Sequence, residues 1–368
     1  MSFTQSSLKI GELATGQDLT LPIFSHKCES PTAPSVYIQA NVHGAEVQGN
    51  AVIYQLMQLL EHYTICGDIT LVPLANPLGI NQKSGEFTLG RFDPITGVNW
   101  NREYLDHQVD VKAWYAANDT LSDDELITHY KSMLLDACHQ RLSHEWGITT
   151  GHQQAVMLQT MAHQADIVLD LHTGPKSCKH LYCPEYDAKA AAFFSIPYTL
   201  FIPNDFGGAM DESIFCPWWQ LAEHMQSVGR NFDLPVSAFT LELGSQENIN
   251  LADALIDAKG ILAYLSERGV IEQKVMAAEM TRYACYLKDY KKYHSPLGGM
   301  VEYQAEVGEP LKAGDPLANI LRIDLYGTEK ALTTLSLKQD CVPILHFASA
   351  SVYQGTELYK VMTKVFEI

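Results

Sequence analysis

The stretch from residue 39 to residue 62, QANVHGAEVQGNAVIYQLMQLLEH, decides how the rest of the chain is interpreted. It continues an apolar run at 36–38, places a His-Gly-Ala-Glu step at the exit of that run, and then shows apolar residues three and four positions apart. Such spacing is typical of an amphipathic helix. The stretch therefore predicts a strand, a polar turn that carries His43 and Glu46, and then a helix.

Bulk composition limits the classes of protein to consider. The chain has 368 residues, of which 46% are hydrophobic, so it can bury a large core and divide into two domains. The formal net charge of -18 argues against nucleic acid or an anionic membrane as a partner. A protein of this charge that binds an acidic small molecule must therefore concentrate positive charge locally.

The sequence predicts a cytoplasmic protein. It contains no run of about 18 apolar residues, so no bilayer-spanning segment is expected. Its first residues, MSFTQSSLKIGELATG, lack the basic start and apolar core of a signal peptide. The eight cysteines include no Cys-x-x-Cys pair, and in a chain of this length they indicate mostly buried, reduced thiols.

Alternating strand-like and helix-like segments predict an α/β fold. Short β-branched or apolar runs predict strands at 35–42, 68–77, 166–174, 198–205 and 237–245. Helical spacing occurs at 123–164 and at 250–269, where Asn250 is the expected cap. We therefore predict a mixed, largely parallel sheet flanked by helices, in which ligands bind beyond the carboxyl ends of strands.

The composition changes after about residue 283. Short alternating runs are then interrupted by Pro-Leu-Gly-Gly, Gly-Glu-Pro and Ala-Gly-Asp-Pro, a pattern typical of a small β-barrel or sandwich. We predict an α/β domain at 1–284 and a smaller all-β domain at 285–368.

His43 and Glu46 are candidate metal ligands. Imidazole nitrogen and carboxylate oxygen both bind zinc, and a three-residue step entering a helix lets both side chains point the same way. His-x-x-Glu also occurs by chance, so the pair needs a third ligand. The best candidate is His172, at the end of DIVLDLHTG, where Gly174 lets the chain turn away and Asp170 either orients a ring or caps a turn.

Other histidines are weaker candidates for the third ligand. His163 and His62 lie within helical patterns and are interpreted as surface or core residues, and His180 is a weaker competitor of His172. Two histidines with one glutamate form the open catalytic zinc site of carboxypeptidase A.

Glu242 stands in the apolar run FTLELGS. A carboxylate in a buried strand is costly unless it is paired, metal-bound or protonated. It is either a core glutamate held by an Arg or Lys, or a general base of raised pKa beside a zinc-bound water. The residue alone leaves both alternatives open.

Arg91 and Arg102 flank a loop that also contains Asn99 and Asn101. Loop arginines are usually solvated, but together these two supply the local positive charge that an acidic ligand requires. One guanidinium can clasp a substrate carboxylate with two hydrogen bonds, and a second can polarise a carbonyl.

These motifs together resemble the succinylglutamate desuccinylase/aspartoacylase family, a branch of the zinc carboxypeptidase-like fold. The resemblance covers roughly residues 35 to 265, with a trailing β-domain also expected. It implies one zinc ion per chain, bound by His43, Glu46 and His172. It further implies that Asn101 and Arg102 hold the substrate carboxylate, that Arg91 polarises the scissile carbonyl, and that Glu242 activates the water.

The reaction implied by the resemblance is zinc-dependent hydrolysis of a small anionic N-acyl amino acid or a related small amide. Two alternatives remain: a zinc metallocarboxypeptidase acting on peptides, and a non-catalytic zinc protein that binds a metabolite. A small closed pocket favours the deacylase, and an open groove favours the peptidase. Homo-oligomerisation is left open.

The chain departs from the family pattern in several places. The loop between Arg91 and Asn101 is longer and more apolar than the usual Asp-rich version, and the segment at about 105–152 resembles an added helical insert. No residue for a second substrate carboxylate is identified, although Tyr182, Asp205 and a loop at 204–219 are candidates to line the pocket. The C-terminal region is similar to a biotinyl/lipoyl-like hammerhead without its lysine-bearing hairpin, which predicts a structural β-domain near the mouth of the site.

Overall fold

The computed structural model describes residues 3–30 and 32–368. Its strands are β1 Thr4–Glu12, β2 Asp18–His26, β3 Ser35–Ala40, β4 Asp68–Val72, β5 Lys83–Ser84, β6 Phe87–Thr88, β7 Ile167–Gly174, β8 Lys176–Ser177, β9 His180–Pro184, β10 Tyr198–Ile202, β11 Ser237–Ser245, β12 Tyr283–Tyr286, β13 Tyr290–His294, β14 Gly299–Tyr303, β15 Pro316–Leu321, β16 Leu332–Ser336, β17 Val342–His346, β18 Ser351–Val352, β19 Glu357–Met362 and β20 Phe366–Glu367. The α-helices are α1 Gln48–Leu60, α2 Pro77–Asn81, α3 Val111–Ala116, α4 Asp123–Leu142, α5 Thr150–Ala162, α6 Met210–Ser227 and α7 Leu251–Glu267.

The main sheet contains ten strands in the order β1-β2-β4-β3-β7-β11-β9-β10-β12-β20. Five of its nine pairings are parallel, including those that join β4, β3, β7 and β11 at the centre. The predicted fold class, a mixed and largely parallel sheet flanked by helices, is therefore confirmed.

Helices cover both faces of the sheet because the central strands are apolar on both sides. Val36 and Ile38 of β3 belong to the core shared with α1 and α7, whereas Tyr37 between them belongs to the core shared with α4, α5 and α6. This alternation follows from the two-residue period of a strand. Because helices cover both faces of the sheet, a ligand can reach it only at the ends of the strands.

The predicted strands occur as β3, β4, β7, β10 and β11, and the predicted C-terminal helix occurs as α7. The side chain of Asn250 accepts hydrogen bonds from the backbone N–H groups of Ala252 and Asp253, so it caps α7 as expected. The hairpin of β1 and β2 and the strand β9 extend the sheet beyond the predicted strands. β1 is mostly exposed and polar, which explains why its sequence shows little strand pattern.

The prediction of a loop at 204–219 is wrong, because most of this segment is the first half of α6. The Glu212 carboxylate accepts hydrogen bonds from the backbone N–H groups of Gly207 (2.8 Å) and Ala209 (3.1 Å), and so satisfies donors at the start of the helix. Pro217 lies inside the helix. The Gly-Gly pair and this proline are helix-breaking signals, and tertiary packing of the helix overrides them.

Two four-stranded sheets form the C-terminal part, in the orders β13-β19-β17-β8 and β16-β15-β14-β18, and their pairings are antiparallel. The boundary predicted near residue 285 falls within β12, which pairs with β10 of the main sheet, and β20 pairs with β12 in turn. Division of the chain at this point stays a prediction, as does the interpretation of 105–152 as an insert. Among the described residues, no helix is both long and apolar enough to cross a bilayer.

Candidate active site

The turn after β3 places His43 and Glu46 at the carboxyl end of the central sheet. Asn41 adopts a positive φ of 68°, and its side-chain amide donates hydrogen bonds to the carbonyl groups of His43 (3.1 Å) and Gly44 (3.3 Å). A Cβ on Gly44 would lie 2.0 Å from the carbonyl oxygen of Gly79, so only glycine fits there. The turn is therefore fixed by its backbone contacts.

His43, Glu46 and His172 converge. One ligand atom from each lies within 4.8 Å of the others. Glu46 Oε1 is 2.9 Å from His43 Nδ1, and Glu46 Oε2 is 2.8 Å from His172 Nδ1. The residues are 4%, 2% and 2% exposed, respectively. The backbone N–H of Thr173 donates to Glu46 Oε2 (3.1 Å), which holds the carboxylate between the two rings.

Oxygen acceptors contact the other nitrogen of each ring. His43 Nε2 lies 2.7 Å from Asn99 Oδ1, and His172 Nε2 lies 2.8 Å from Asp170 Oδ2. Asn99 Oδ1 also accepts the backbone N–H of Asn101 (2.8 Å), so this atom is an acceptor. Acceptors therefore stand behind Nε2 of each ring, and Nδ1 of each ring faces Glu46 as the candidate ligand atom. Of the two roles considered for Asp170, the structure supports orientation of a ring.

The contacts within the cluster shift the pKa values of Glu46 and His172 in opposite directions. Burial by itself raises the pKa of Glu46, but the imidazoles of His43 and His172 outweigh it and hold that pKa well below its usual range. Burial lowers the pKa of His172, but the carboxylates of Asp170 and Glu46 outweigh burial and raise it well above its usual value. Two imidazole nitrogens and one carboxylate, with carboxylate and amide oxygens behind the rings, are a donor set that suits zinc.

Arg91 and Glu242 border the cluster. Arg91 Nη1 lies 3.0 Å from Glu46 Oε1, and its side chain is 47% exposed, so the guanidinium faces the solvent side. Glu242 lies in the second half of β11, in register with His172 of β7. Its Oε2 atom is buried and has no hydrogen-bond partner among the described residues. Burial, with a further contribution from the negative charge of Glu46, raises the pKa of Glu242 to about 7.

A cavity of about 510 Å³ opens over these residues. All seven residues predicted from the sequence line it: His43, Glu46, Arg91, Asn101, Arg102, His172 and Glu242. Of the other candidates to line the pocket, Tyr182 lines it, and so do Ala209, Asp211 and Glu212 of the segment at 204–219, whereas Asp205 does not. His180 is buried in β9, where its Nδ1 donates to the carbonyl of Cys178 (3.1 Å), and it is not part of the cluster.

Arg102 reaches the cavity by passing close to the backbone at Gly208. A Cβ on this glycine, whose φ is +101°, would lie 3.1 Å from Arg102 Cδ and 3.3 Å from Arg102 Cα. The entry to α6 therefore makes room for the stem of the arginine. Arg102 therefore contacts the segment that leads into α6, a helix that the sequence did not predict.

The C-terminal strands, predicted to lie near the mouth of the site, contribute to the cavity wall, but the sequence did not indicate which of their residues do so. Lys360 of β19 and Leu345 of β17 line the cavity together with Phe347 and Glu357. Burial lowers the pKa of Lys360, and its amine lies 3.7 Å from a carboxylate oxygen of Glu357. No local pattern in the sequence of β19 indicates that this lysine faces a site more than 100 residues away in the chain.

The fold and the cluster define a class: an α/β protein with a mixed sheet and a buried His-Glu-His cluster at the strand ends. The model of the succinylglutamate desuccinylase/aspartoacylase catalytic domain matches residues 32–268, more than half of the chain. The chain belongs to the succinylglutamate desuccinylase/aspartoacylase family, which implies a deacylase. A search of curated proteins found no match.

Several solved structures are similar to this chain over nearly its whole length. A protein of Shewanella frigidimarina NCIMB 400 assigned to the succinylglutamate desuccinylases/aspartoacylases is 72% identical, with a TM-score of 0.98 over 100% of this chain and 98% of the other. A family member from Shewanella amazonensis SB2B is 67% identical, with a TM-score of 0.97 over 99% and 100% of the two chains. The ectoine utilization protein EutE (DoeB) of Ruegeria pomeroyi shares the fold at 17% identity, with a TM-score of 0.66 over 98% and 95%.

Proposed function

We propose that the protein is a zinc-dependent amidohydrolase that removes the acyl group from a small anionic N-acyl amino acid or a related small amide. The observation that carries this proposal is the convergence of His43, Glu46 and His172, each buried and oriented by a second contact, on the wall of a cavity that also contains Glu242.

His43, Glu46 and His172 would hold one zinc ion, through Nδ1 of each ring and the carboxylate of the glutamate. When bound, zinc supplies a Lewis acid that polarises a carbonyl and makes water a nucleophile near pH 7. Asn99 and Asp170 accept the Nε2 protons and keep the two rings in the ligating orientation.

Glu242 would be the general base and then the general acid. Its Oε2 atom has no partner among the described residues, so it is free to accept a proton from the attacking water. The same oxygen then delivers this proton to the leaving nitrogen. A core glutamate held by an ion pair, the alternative to this role, would have an Arg or Lys within 4 Å, and no such contact to Glu242 occurs in the described part of the chain.

Arg91, Asn101 and Arg102 would bind the substrate. The half-exposed guanidinium of Arg91 lies next to Glu46 and would polarise the scissile carbonyl as negative charge develops on its oxygen. The exposed guanidinium of Arg102 and the buried amide of Asn101 would hold the substrate carboxylate. They supply the local positive charge that an acidic substrate needs on a chain of net charge -18.

The shape of the cavity supports a deacylase over a carboxypeptidase. A volume of about 510 Å³ lies within the range of small-molecule sites. β17 and β19 form part of its wall, where a peptide substrate would need an open groove. Lys360 on that wall is the candidate to contact the far end of a charged acyl group.

The decisive experiment is a hydrolysis screen with zinc-loaded protein. The substrates are N-acetyl, N-succinyl and N-formyl derivatives of the same amino acids, and peptides that carry those amino acids at the C-terminus. We expect the N-acyl amino acids to be hydrolysed in preference to the peptides. Preference for the peptides would support the carboxypeptidase, and no turnover of either class at full zinc occupancy would support a binding protein.

The Glu242→Gln variant tests the proposed base. We expect it to retain zinc and to lose roughly 10² to 10⁴-fold in kcat, because general-base catalysis contributes that much. Glu267→Gln, on the exposed end of α7, is the matched control and should keep full activity. Near-normal turnover in Glu242→Gln would remove this residue from the mechanism.

A further inference from the structure

A second cluster of metal-binding side chains lies among the helices. His107 precedes α3, Cys138 is on α4, and His163 caps the C-terminus of α5. One ligand atom from each lies within 4.8 Å of the others. Cys138 is 0% exposed and His163 is 3% exposed, whereas His107 is partly buried. In the part of the chain that the structure describes, none of the three lines the candidate active-site cavity.

The two imidazole rings turn the same nitrogen towards each other. His107 Nε2 and His163 Nε2 are 2.8 Å apart, and the rings are 4.9 Å apart between centroids at an angle of 61°. His107 Nδ1 is buried and has no hydrogen-bond partner among the described residues, so only Nε2 orients this ring. A buried ring nitrogen without a partner requires an explanation, and the other nitrogen of this ring faces a second imidazole, with the thiol of Cys138 nearby.

The side-chain amide of Gln159 contacts both the backbone of Leu105 and the ring of His107. Its Oε1 accepts the backbone N–H of Leu105 (2.8 Å), and its Nε2 donates to the backbone carbonyl of Leu105 (3.0 Å). This double contact fixes the amide and the segment that leads to His107. The remaining amide hydrogen points to His107 Nε2 (3.2 Å), so this nitrogen presents a lone pair.

We propose that His107, Cys138 and His163 form a second metal site, for a borderline-soft divalent cation such as zinc. Two imidazole nitrogens and a thiolate are donors that zinc prefers. Zn–N bonds of 2.0–2.1 Å in tetrahedral geometry separate two nitrogens by roughly 3.3–3.4 Å, so the rings must move apart by about 0.5 Å. The metal then replaces the His–His hydrogen bond and the contact from Gln159, and the proton on His163 Nε2 moves to Nδ1 of the same ring.

The two imidazoles are ready to ligate near pH 7, whereas the thiol must lose its proton. Burial lowers the pKa of His107 to about 4, and burial lowers the pKa of His163 as well, so both imidazoles are neutral and available near pH 7. Burial raises the pKa of the Cys138 thiol to about 11. Binding therefore breaks the S–H bond, forms a metal–sulfur bond and releases one proton to solvent for each cation bound.

The site would tie three elements together. His107 follows Arg102 by five residues in the chain, and α4 and α5 pack against each other. A cation held between them would anchor the segment that continues from the proposed carboxylate-binding loop. The metal of this site is additional to the one proposed at His43, Glu46 and His172, and with three protein ligands its fourth position would be filled by water.

Cobalt(II) separates the two sites spectroscopically. The proposed active site offers only nitrogen and oxygen ligands, so a thiolate-to-cobalt charge-transfer absorption in the near ultraviolet reports the second site alone. Full-length protein stripped of metal is titrated with cobalt(II). We expect this absorption in the wild type, its loss in Cys138→Ser, and its retention in Cys66→Ser, a partly buried cysteine outside the cluster.

A wild-type protein that shows no thiolate band at saturating cobalt would overturn the proposal, and so would a band that persists in Cys138→Ser. Replacement of Cys138, which is fully buried, also perturbs folding. His107 is only partly buried, so His107→Ala provides an independent test. It should weaken cobalt binding at the thiolate site at least tenfold, and unchanged affinity would contradict the proposal. None of these measurements uses enzymatic activity, so they stand apart from the proposed function.

Discussion

Replacing Asp170 by asparagine tests how the proposed zinc centre is built. Asp170 is fully buried, and its two oxygens accept separate hydrogen bonds, one from His172 Nε2 (2.8 Å) and one from Gln39 Nε2 (2.9 Å). Asparagine keeps the size of the side chain but has only one acceptor oxygen. It therefore removes the charge behind His172 and leaves one of the two buried donors facing an NH₂ group.

The magnitude follows from these two losses. Removing the carboxylate that orients a ligating histidine typically lowers metal affinity 10- to 100-fold, which corresponds to about 1.4–2.7 kcal/mol. The unsatisfied buried donor lowers the free energy of unfolding by a further roughly 1–3 kcal/mol. Zinc affinity is measured by competition with a chromophoric chelator, and stability is measured by urea unfolding of the metal-free protein.

Asp166→Asn is the matched control. This aspartate directly precedes the same strand, β7, and accepts hydrogen bonds from the backbone N–H (2.9 Å) and the hydroxyl (2.7 Å) of Ser35, far from the cluster. Both hydrogen bonds end on Oδ2, so the amide oxygen of asparagine can accept them, and the variant should keep the zinc affinity of the wild type. Equal zinc affinities for Asp170→Asn and the wild type would refute the role of Asp170 in holding the His172 ring.

Three further outcomes follow from the structure. Gly208→Ala should lower kcat/KM by up to roughly 10²-fold, mainly by raising KM, because a Cβ at this positive φ displaces Arg102. An unchanged KM in steady-state kinetics would show that the position of Arg102 does not depend on this contact. Tyr130→Phe should cost about 1 kcal/mol in urea unfolding, since the buried hydroxyl donates to the carbonyl of Pro217 (3.0 Å), and a cost near zero would show that this hydrogen bond adds nothing to stability. Treatment with a strong chelator should abolish hydrolysis, and added zinc should restore it; full activity in protein shown to be metal-free by elemental analysis would exclude a zinc mechanism.

The central strands and the position of the site were predictable because both depend on local patterns. The apolar runs of β3 and β7 are buried on both faces, and a polar residue directly after such a run lies at the edge of a parallel sheet. His43 and His172 are 129 residues apart in the chain, but each follows such a run, and both were therefore expected at the same edge. Family resemblance then supplied the expected roles of the arginines.

Other features were not predictable, because their signals were weak or misleading. β1 is polar and exposed, so it forms an edge strand without a clear alternation. α6 contains a proline and follows two glycines, so its local propensity opposes the helix that its eleven buried residues stabilise in the fold.

The sequence by itself determined the class of fold, the edge of the sheet at which the candidate site lies, and the residue types placed there, because these follow from patterns within short segments. Only the tertiary structure decided that Asn99 and Asp170 orient the two rings, that Lys360 forms part of the cavity wall, and that a cysteine and two histidines meet between α4 and α5. These contacts join segments that are distant in the chain or turn a side chain in a particular direction. They are fixed by how helices and strands pack against one another, and no local pattern of residues encodes that packing.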